Sequence, residues 1–177
     1  MVAEETIILL SVPVPIAVLG IDPGIKGNNP GAALLWSQDG AIRIFDWCNE
    51  VDASFFLDEC CYSFDIQLAL IEKQWSRPTD SRGNADKLIG NYHFWRGLLI
   101  SRKIPFRAMA PNSWRAGLPF NKAIPDPKQR SLEMVRSMFS EKVVKRYFKF
   151  LKNHGRADAA IMAYRAQLYT GKDFKRP

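Results

Sequence analysis

Cysteine is scarce in this sequence: Cys48 and the adjacent Cys60 and Cys61 are the only three. An odd count without metal-ligand spacing argues against both a disulfide framework and a zinc knuckle. A reducing cytosolic or organellar interior fits best, and secretion does not. Long apolar runs are missing too. The stretch 7–19 is shorter than a bilayer-spanning helix and contains Pro13 and Pro15. It follows Glu4 and Glu5 rather than the basic front edge of a secretory signal, so no membrane association is expected. It reads as a short leader over residues 1–15 followed by a buried strand. Internal repeats and low-complexity tracts are absent.

Basic side chains are almost missing from the first part of the chain. Residues 1–72 hold Lys26 and Arg43 against eleven Asp and Glu, a net of −9, whereas the rest holds twenty-three Lys and Arg against seven acids, a net of +16. That asymmetry suggests a polyanion-binding surface built mainly by the C-terminal part. The length of 177 residues and 47% hydrophobic content suit one domain with a single core, expected over residues 16–170 with a tail at 171–177.

The apolar run from Ile16 to Ile21 meets Asp22-Pro23-Gly24, a buried central strand ending in a turn. After a Gly-, Asn- and Pro-rich loop over residues 24–31, strands are expected over Ala32 to Trp36 and Ile42 to Phe45, joined at Gln38-Asp39-Gly40. Three antiparallel strands thus open the domain. A helix capped by Asp52 or Ser54 follows as far as Tyr62, then a buried strand over Gln67 to Ile71 with Glu72 at its exit. A polar loop over residues 76–83 precedes a long helix from Asn84 to Arg102, and Pro105 to Ala110 reads as a fifth strand. Asn112-Ser113-Trp114-Arg115 begins a short turn or helix. Helices are expected from Lys128 to Phe139, about Glu141 to Leu151 and about Arg156 to Tyr169. The order βββαβαβααα points to a mixed α/β layer fold.

Asp22 and Glu72 end buried strands, and Asp158 is expected in the first turn of the last helix. Carboxylates at the carboxyl ends of neighbouring strands project into one crevice, where clustering is costly without a cation. Hard oxygen donors of this kind suit Mg²⁺ or Mn²⁺, and two such ions can drive phosphodiester hydrolysis. Taken singly, each has a structural alternative: Asp22 caps its own turn, Glu72 forms a salt bridge, Asp158 is a helix N-terminal acid.

Three segments carry a family resemblance. Leu19-Gly20-Ile21-Asp22-Pro23-Gly24 resembles the opening strand of the RuvC Holliday-junction resolvases of the RNase H-like superfamily. Leu70-Ile71-Glu72-Lys73-Gln74-Trp75 resembles their second acidic motif, and Arg156-Ala157-Asp158-Ala159-Ala160-Ile161-Met162-Ala163 their final helix. Asn153-His154-Gly155-Arg156-Ala157, Phe94-Trp95-Arg96-Gly97 and Asn112-Ser113-Trp114-Arg115 look closest to the chloroplast and phage-type branch.

The resemblance implies a three-layer RNase H-like fold with a five-stranded mixed sheet flanked by helices. It also implies a homodimer that binds four-way DNA and nicks two strands symmetrically, using two Mg²⁺ or Mn²⁺ ions on Asp22, Glu72 and Asp158. Three positions before the last aspartate the family carries an acid or a histidine. This sequence has Gly155 there, and His154, one turn from Asp158, is the candidate fourth ligand. Lys128 resembles a family lysine that polarises phosphate, and Arg115 stands near a second. Trp75 matches an aromatic that stacks on an unpaired base at the crossover. Lys73, Arg77 and Arg82 are further candidate DNA contacts. The long helix, with Tyr92, Phe94 and Trp95 read as packing residues, is the candidate dimer interface. Two other readings remain open: a nuclease on RNA–DNA hybrids or flaps, and a junction-binding module without catalysis.

Overall fold

Every residue of β1 (Ile16–Asp22) after the first is buried, which places this strand at the centre of the sheet. The computed structural model describes residues 13–24, 31–75 and 81–177, apart from the Arg82 side chain. The expected leader as far as residue 12, most of the glycine-rich loop, and Arg77 with the loop around it lie outside the described residues.

The sheet order is β3-β2-β1-β4-β5. β2 (Ala32–Ser37) and β3 (Ile42–Asp46) pair antiparallel with their neighbours, while β4 (Asp65–Glu72) and β5 (Phe106–Met109) run parallel to β1. α1 (Glu50–Ser63) leads into β4, and α2 (Arg82–Ser101) connects β4 to β5. α3 (Pro111–Arg115), α4 (Pro127–Met138), α5 (Glu141–Tyr147), a 3-10 turn (Leu151–Asn153) and α6 (His154–Thr170) complete the chain. This is the expected mixed five-stranded sheet flanked by helices. Among the described residues no helix is long and apolar enough to cross a membrane.

Alternation along the strands divides the core in two. Ala17, Leu19 and Ile21 face α1 and α2, meeting Leu57, Trp95 and Leu99. Val18 faces the other way, toward the alanine-rich α6 and toward α4. Gly20 shares that face, and a Cβ there would sit 1.9 Å from the Ala159 carbonyl oxygen and 2.5 Å from the Ala163 nitrogen. Glycine at this position lets α6 lie directly on β1.

Three local expectations need correction. The N-cap of α1 is Asn49, whose side chain accepts from the Asp52 backbone N–H at 2.9 Å, so Asp52 sits inside the helix rather than before it. α4 begins at Pro127, with Asp126 accepting from the Lys128 N–H at 2.9 Å. α6 begins at His154 rather than near Arg156, so Asp158 stands in its second turn and not its first. The 3-10 turn supplies the missing start. Within the segment read as a tail over residues 171–177, Lys175 N–H donates to the Gln38 carbonyl at 2.9 Å and the Trp36 indole donates to the Lys175 carbonyl at 3.1 Å.

Candidate active site

The α6-facing side of the sheet brings the acidic residues together. Asp22 lies two positions beyond Gly20 and so on the same face as that glycine. Ile21 pairs with Ile71 across the parallel strands, so Asp22 and Glu72 follow side by side at the ends of β1 and β4. Asp158, one position before Ala159, comes from the α6 turn that packs over Gly20. Asp22 and Asp158 are buried and Glu72 is partly buried.

Each carboxylate has protein partners. Asp22 Oδ1 accepts from the Gly24 N–H at 3.1 Å, so it does cap its own turn. Glu72 accepts from the Trp114 indole N–H at 2.9 Å and from the Gln74 amide at 3.1 Å. Asp158 accepts from the Ser131 hydroxyl at 2.6 Å and pairs with Arg115, whose Nη2 lies 3.4 and 3.3 Å from its two oxygens.

Electrostatics agree with the geometry. Burial, followed by repulsion from Glu72 and then Asp158, holds the Asp22 carboxyl well above its ordinary range. Burial and repulsion from Asp158 raise Glu72 as well. Burial raises Asp158, although Arg115 and Ser131 oppose it. Three acids that disfavour one another's ionisation form a site that a hard divalent cation would stabilise. As the side chains stand, among the described residues no three His, Cys, Asp or Glu groups close around one ion position. The donor chemistry fits Mg²⁺ or Mn²⁺, while two of the three carboxylates are engaged by the neighbouring Trp114 and Arg115.

His154 is buried, with Nδ1 3.2 Å from the Leu151 carbonyl oxygen. Burial and the positive charge of Lys128 push its imidazole below the ordinary value, and Asp158 pulls the other way. The histidine therefore shares an electrostatic neighbourhood with Asp158 and Lys128. Lys128 is exposed at the start of α4, and Lys73 is exposed at the exit of β4. Trp75 is 43% exposed and takes no part in the core. Trp95 is buried against Trp47 and Phe45, and Tyr92 is buried in the same cluster, as expected of packing residues.

Sequence reasoning missed Trp114, Ser131 and Gln74 as partners of the acids. One signal was available for Ser131, a hydroxyl on the buried face of α4 beside Leu132 and Val135. Nothing local distinguishes Trp114 from a core tryptophan.

No family model and no curated protein matches the sequence. Among solved structures, Thermus thermophilus RuvC in complex with a Holliday junction substrate matches at 15% identity and a TM-score of 0.56, over 92% of this chain and 99% of that one. A second Thermus thermophilus RuvC structure matches at 16% identity and a TM-score of 0.53, over 88% of this chain and 96% of that one. The chain has the RuvC fold. Within a RuvC fold, Asp22, Glu72 and Asp158 occupy the ends of two adjacent central strands and the helix crossing them. Arg115 opens from this group onto a cleft of about 610 Å³ lined also by Asn112, Gly117, Phe120, Lys122 and Arg130.

Proposed function

We propose that this protein is a divalent-metal-dependent endonuclease that resolves four-way DNA junctions by paired, symmetric nicks. The observation that carries this reading is the convergence of three carboxylates, two buried and one partly buried, that raise one another's titration beside a cationic cleft in a RuvC fold. Asp22, Glu72, Asp158 and His154 would hold the ions. Bound Mg²⁺ or Mn²⁺ supplies activation of water and neutralisation of charge on the leaving oxygen. The chain's own groups do the rest: Ser131 and Trp114 fix Asp158 and Glu72, Lys128 and Arg115 bind the phosphate, and Lys73 adds positive charge at the β4 exit. Trp75, exposed beside Glu72, stacks on a base unpaired at the crossover. Arg77 and Arg82 are further proposed DNA contacts, and both side chains lie outside the described residues.

Symmetric nicking requires a second copy of the active site, and the proposed interface is α2. Its outer side presents Gly90, His93, Gly97 and Ile100 to solvent, with nothing within 4 Å of a Cβ built on either glycine.

The test is incubation of pure protein with a synthetic mobile four-way junction, with and without Mg²⁺, mapping nicks on all four strands. Paired nicks at symmetric positions, dependent on Mg²⁺, are expected. Asp22→Asn is expected to bind the junction and leave it uncut. Normal turnover by Asp22→Asn would remove Asp22 from the metal site. Preferential cutting of an RNA–DNA hybrid in the same assay would reassign the substrate, and binding without metal-dependent nicking would leave a non-catalytic module.

A further inference from the structure

Three arginine–aspartate pairs can be compared directly in this chain. Arg102 grips Asp58 with two nitrogens, Nε at 2.8 Å and Nη2 at 3.0 Å. Arg156 grips Asp46 in the same forked manner, with Nε at 2.7 Å. Arg115 reaches Asp158 with Nη2 alone, at 3.4 and 3.3 Å. A fork fixes both partners, whereas a single long contact is readily exchanged. The loosest of the three pairs is the one at the candidate metal site.

The surroundings of Arg115 give it a second place to go. Its guanidinium lies 4.3 Å from the centre of the Trp114 ring, and the same indole holds Glu72. The side chain, 31% exposed, also lines the cleft that carries Lys122 and Arg130. With Lys122 and Arg130 also lining the cleft, the Asp158 carboxylate is the more favourable neighbour for the Arg115 charge. An anionic phosphate in the cleft attracts it away. Among the described residues, Asp158 is the one acid of the three with a basic partner in an ion pair.

We propose that Arg115 is a built-in counter-cation: it neutralises Asp158 in the metal-free protein, yields the carboxylate to the divalent ion, and turns over Trp114 into the cleft to meet the DNA phosphate. Metal loading and phosphate binding are thereby coupled through one side chain. The inference rests on the metal-nuclease reading above and adds a competition that reading does not require.

The test is Mn²⁺ affinity measured without DNA, by electron paramagnetic resonance of free Mn²⁺, for the wild-type chain, Arg115→Met and Arg115→Lys. Removing a competing cation from a partly exposed pair should tighten Mn²⁺ binding by roughly 3- to 10-fold in Arg115→Met. Arg115→Lys, which keeps the charge, should stay near wild type. Arg115→Met should also weaken binding of a four-way junction measured in EDTA, because the cleft loses a phosphate contact. Wild-type Mn²⁺ binding with unchanged or weaker binding in Arg115→Met would overturn the competition and leave the nuclease reading standing. Absence of Mn²⁺ binding by all three proteins would overturn both. As a check independent of folding differences between variants, the Arg115 Nε–H resonance of the wild-type protein should shift as Mg²⁺ saturates the site. A resonance that stays put at saturation overturns the proposal.

Discussion

On the α1–α2 side of the sheet, Leu19 and Ile21 meet Trp47, Leu57, Trp95 and Leu99, and the interior is apolar and rich in aromatic rings. On the α6 side the same strand offers Val18, then Gly20, then Asp22, against Ala157, Ala159, Ala160 and Ala163. Buried Ser131, His154, Asp158 and Gln167 all come from the helices on that side. One face is filled by bulk. The other carries bulk too, in Trp36, Trp114, Phe139 and Phe148, but where α6 crosses β1 it is filled by close backbone approach, with charged groups at the edge that face each other at a cost. Both faces hold the fold together, but only the second also carries the acidic group, so substitutions on the two should behave differently.

The largest contrast is expected at glycine. Gly20→Val drives a side chain into the backbone of α6 and should destabilise the fold by about 3 kcal/mol or more, since neither strand nor helix backbone can yield cheaply. Urea unfolding measures it, and a loss under 1 kcal/mol (roughly the ordinary surface value) would mean that α6 does not sit where the structure has it.

Two fully buried tryptophans sharpen the comparison next. Trp114 donates to Glu72, while the Trp95 indole N–H is buried without a hydrogen-bond partner. Trp114→Phe should therefore cost about 2 kcal/mol more than Trp95→Phe, because it alone breaks a bond to a charged group. Equal losses in chemical unfolding would erase the distinction between the faces.

The acidic edge should also respond to pH. Asp22, Glu72 and Asp158 all titrate above their ordinary ranges in the folded chain. The folded state then binds more protons than the unfolded state, so stability falls as pH rises through the raised values. The gain on acidification is complete once pH reaches the ordinary carboxylate value of 3.8 for the aspartates. In EDTA, thermal unfolding of Asp22→Asn relative to wild type should show this penalty removed at neutral pH, with Tm higher by about 2–4 °C for roughly 1 kcal/mol. The difference should shrink in acid, and a difference independent of pH would show that repulsion is not its source.

The smallest effect belongs to the outer side of α2. Gly97→Ala meets open space and should stabilise the helix by about 0.8 kcal/mol. At protein concentrations where the proposed α2 contact forms, that gain should shrink or reverse, and a gain independent of concentration would remove α2 as the interface.

Much of this was legible in order of sequence. Apolar runs ending at Asp22 and Glu72 announced two buried strands with an acid at each exit, because strand burial and turn chemistry are local properties of the chain. The helix carrying Asp158 was legible too, although its start was not. His154 continues a 3-10 turn into α6, and that junction depends on Asn153, whose N–H donates to the Phe150 carbonyl and whose side-chain oxygen accepts from the Phe150 N–H. What only the tertiary structure decided is the company the acids keep. Trp114 stands 42 residues from Glu72, Ser131 stands 27 from Asp158, and Arg115 stands 43 from Asp158. Contacts across such separations are set by how helices dock on the sheet. Periodicity fixes which face a residue takes, and packing alone fixes which residue it meets there.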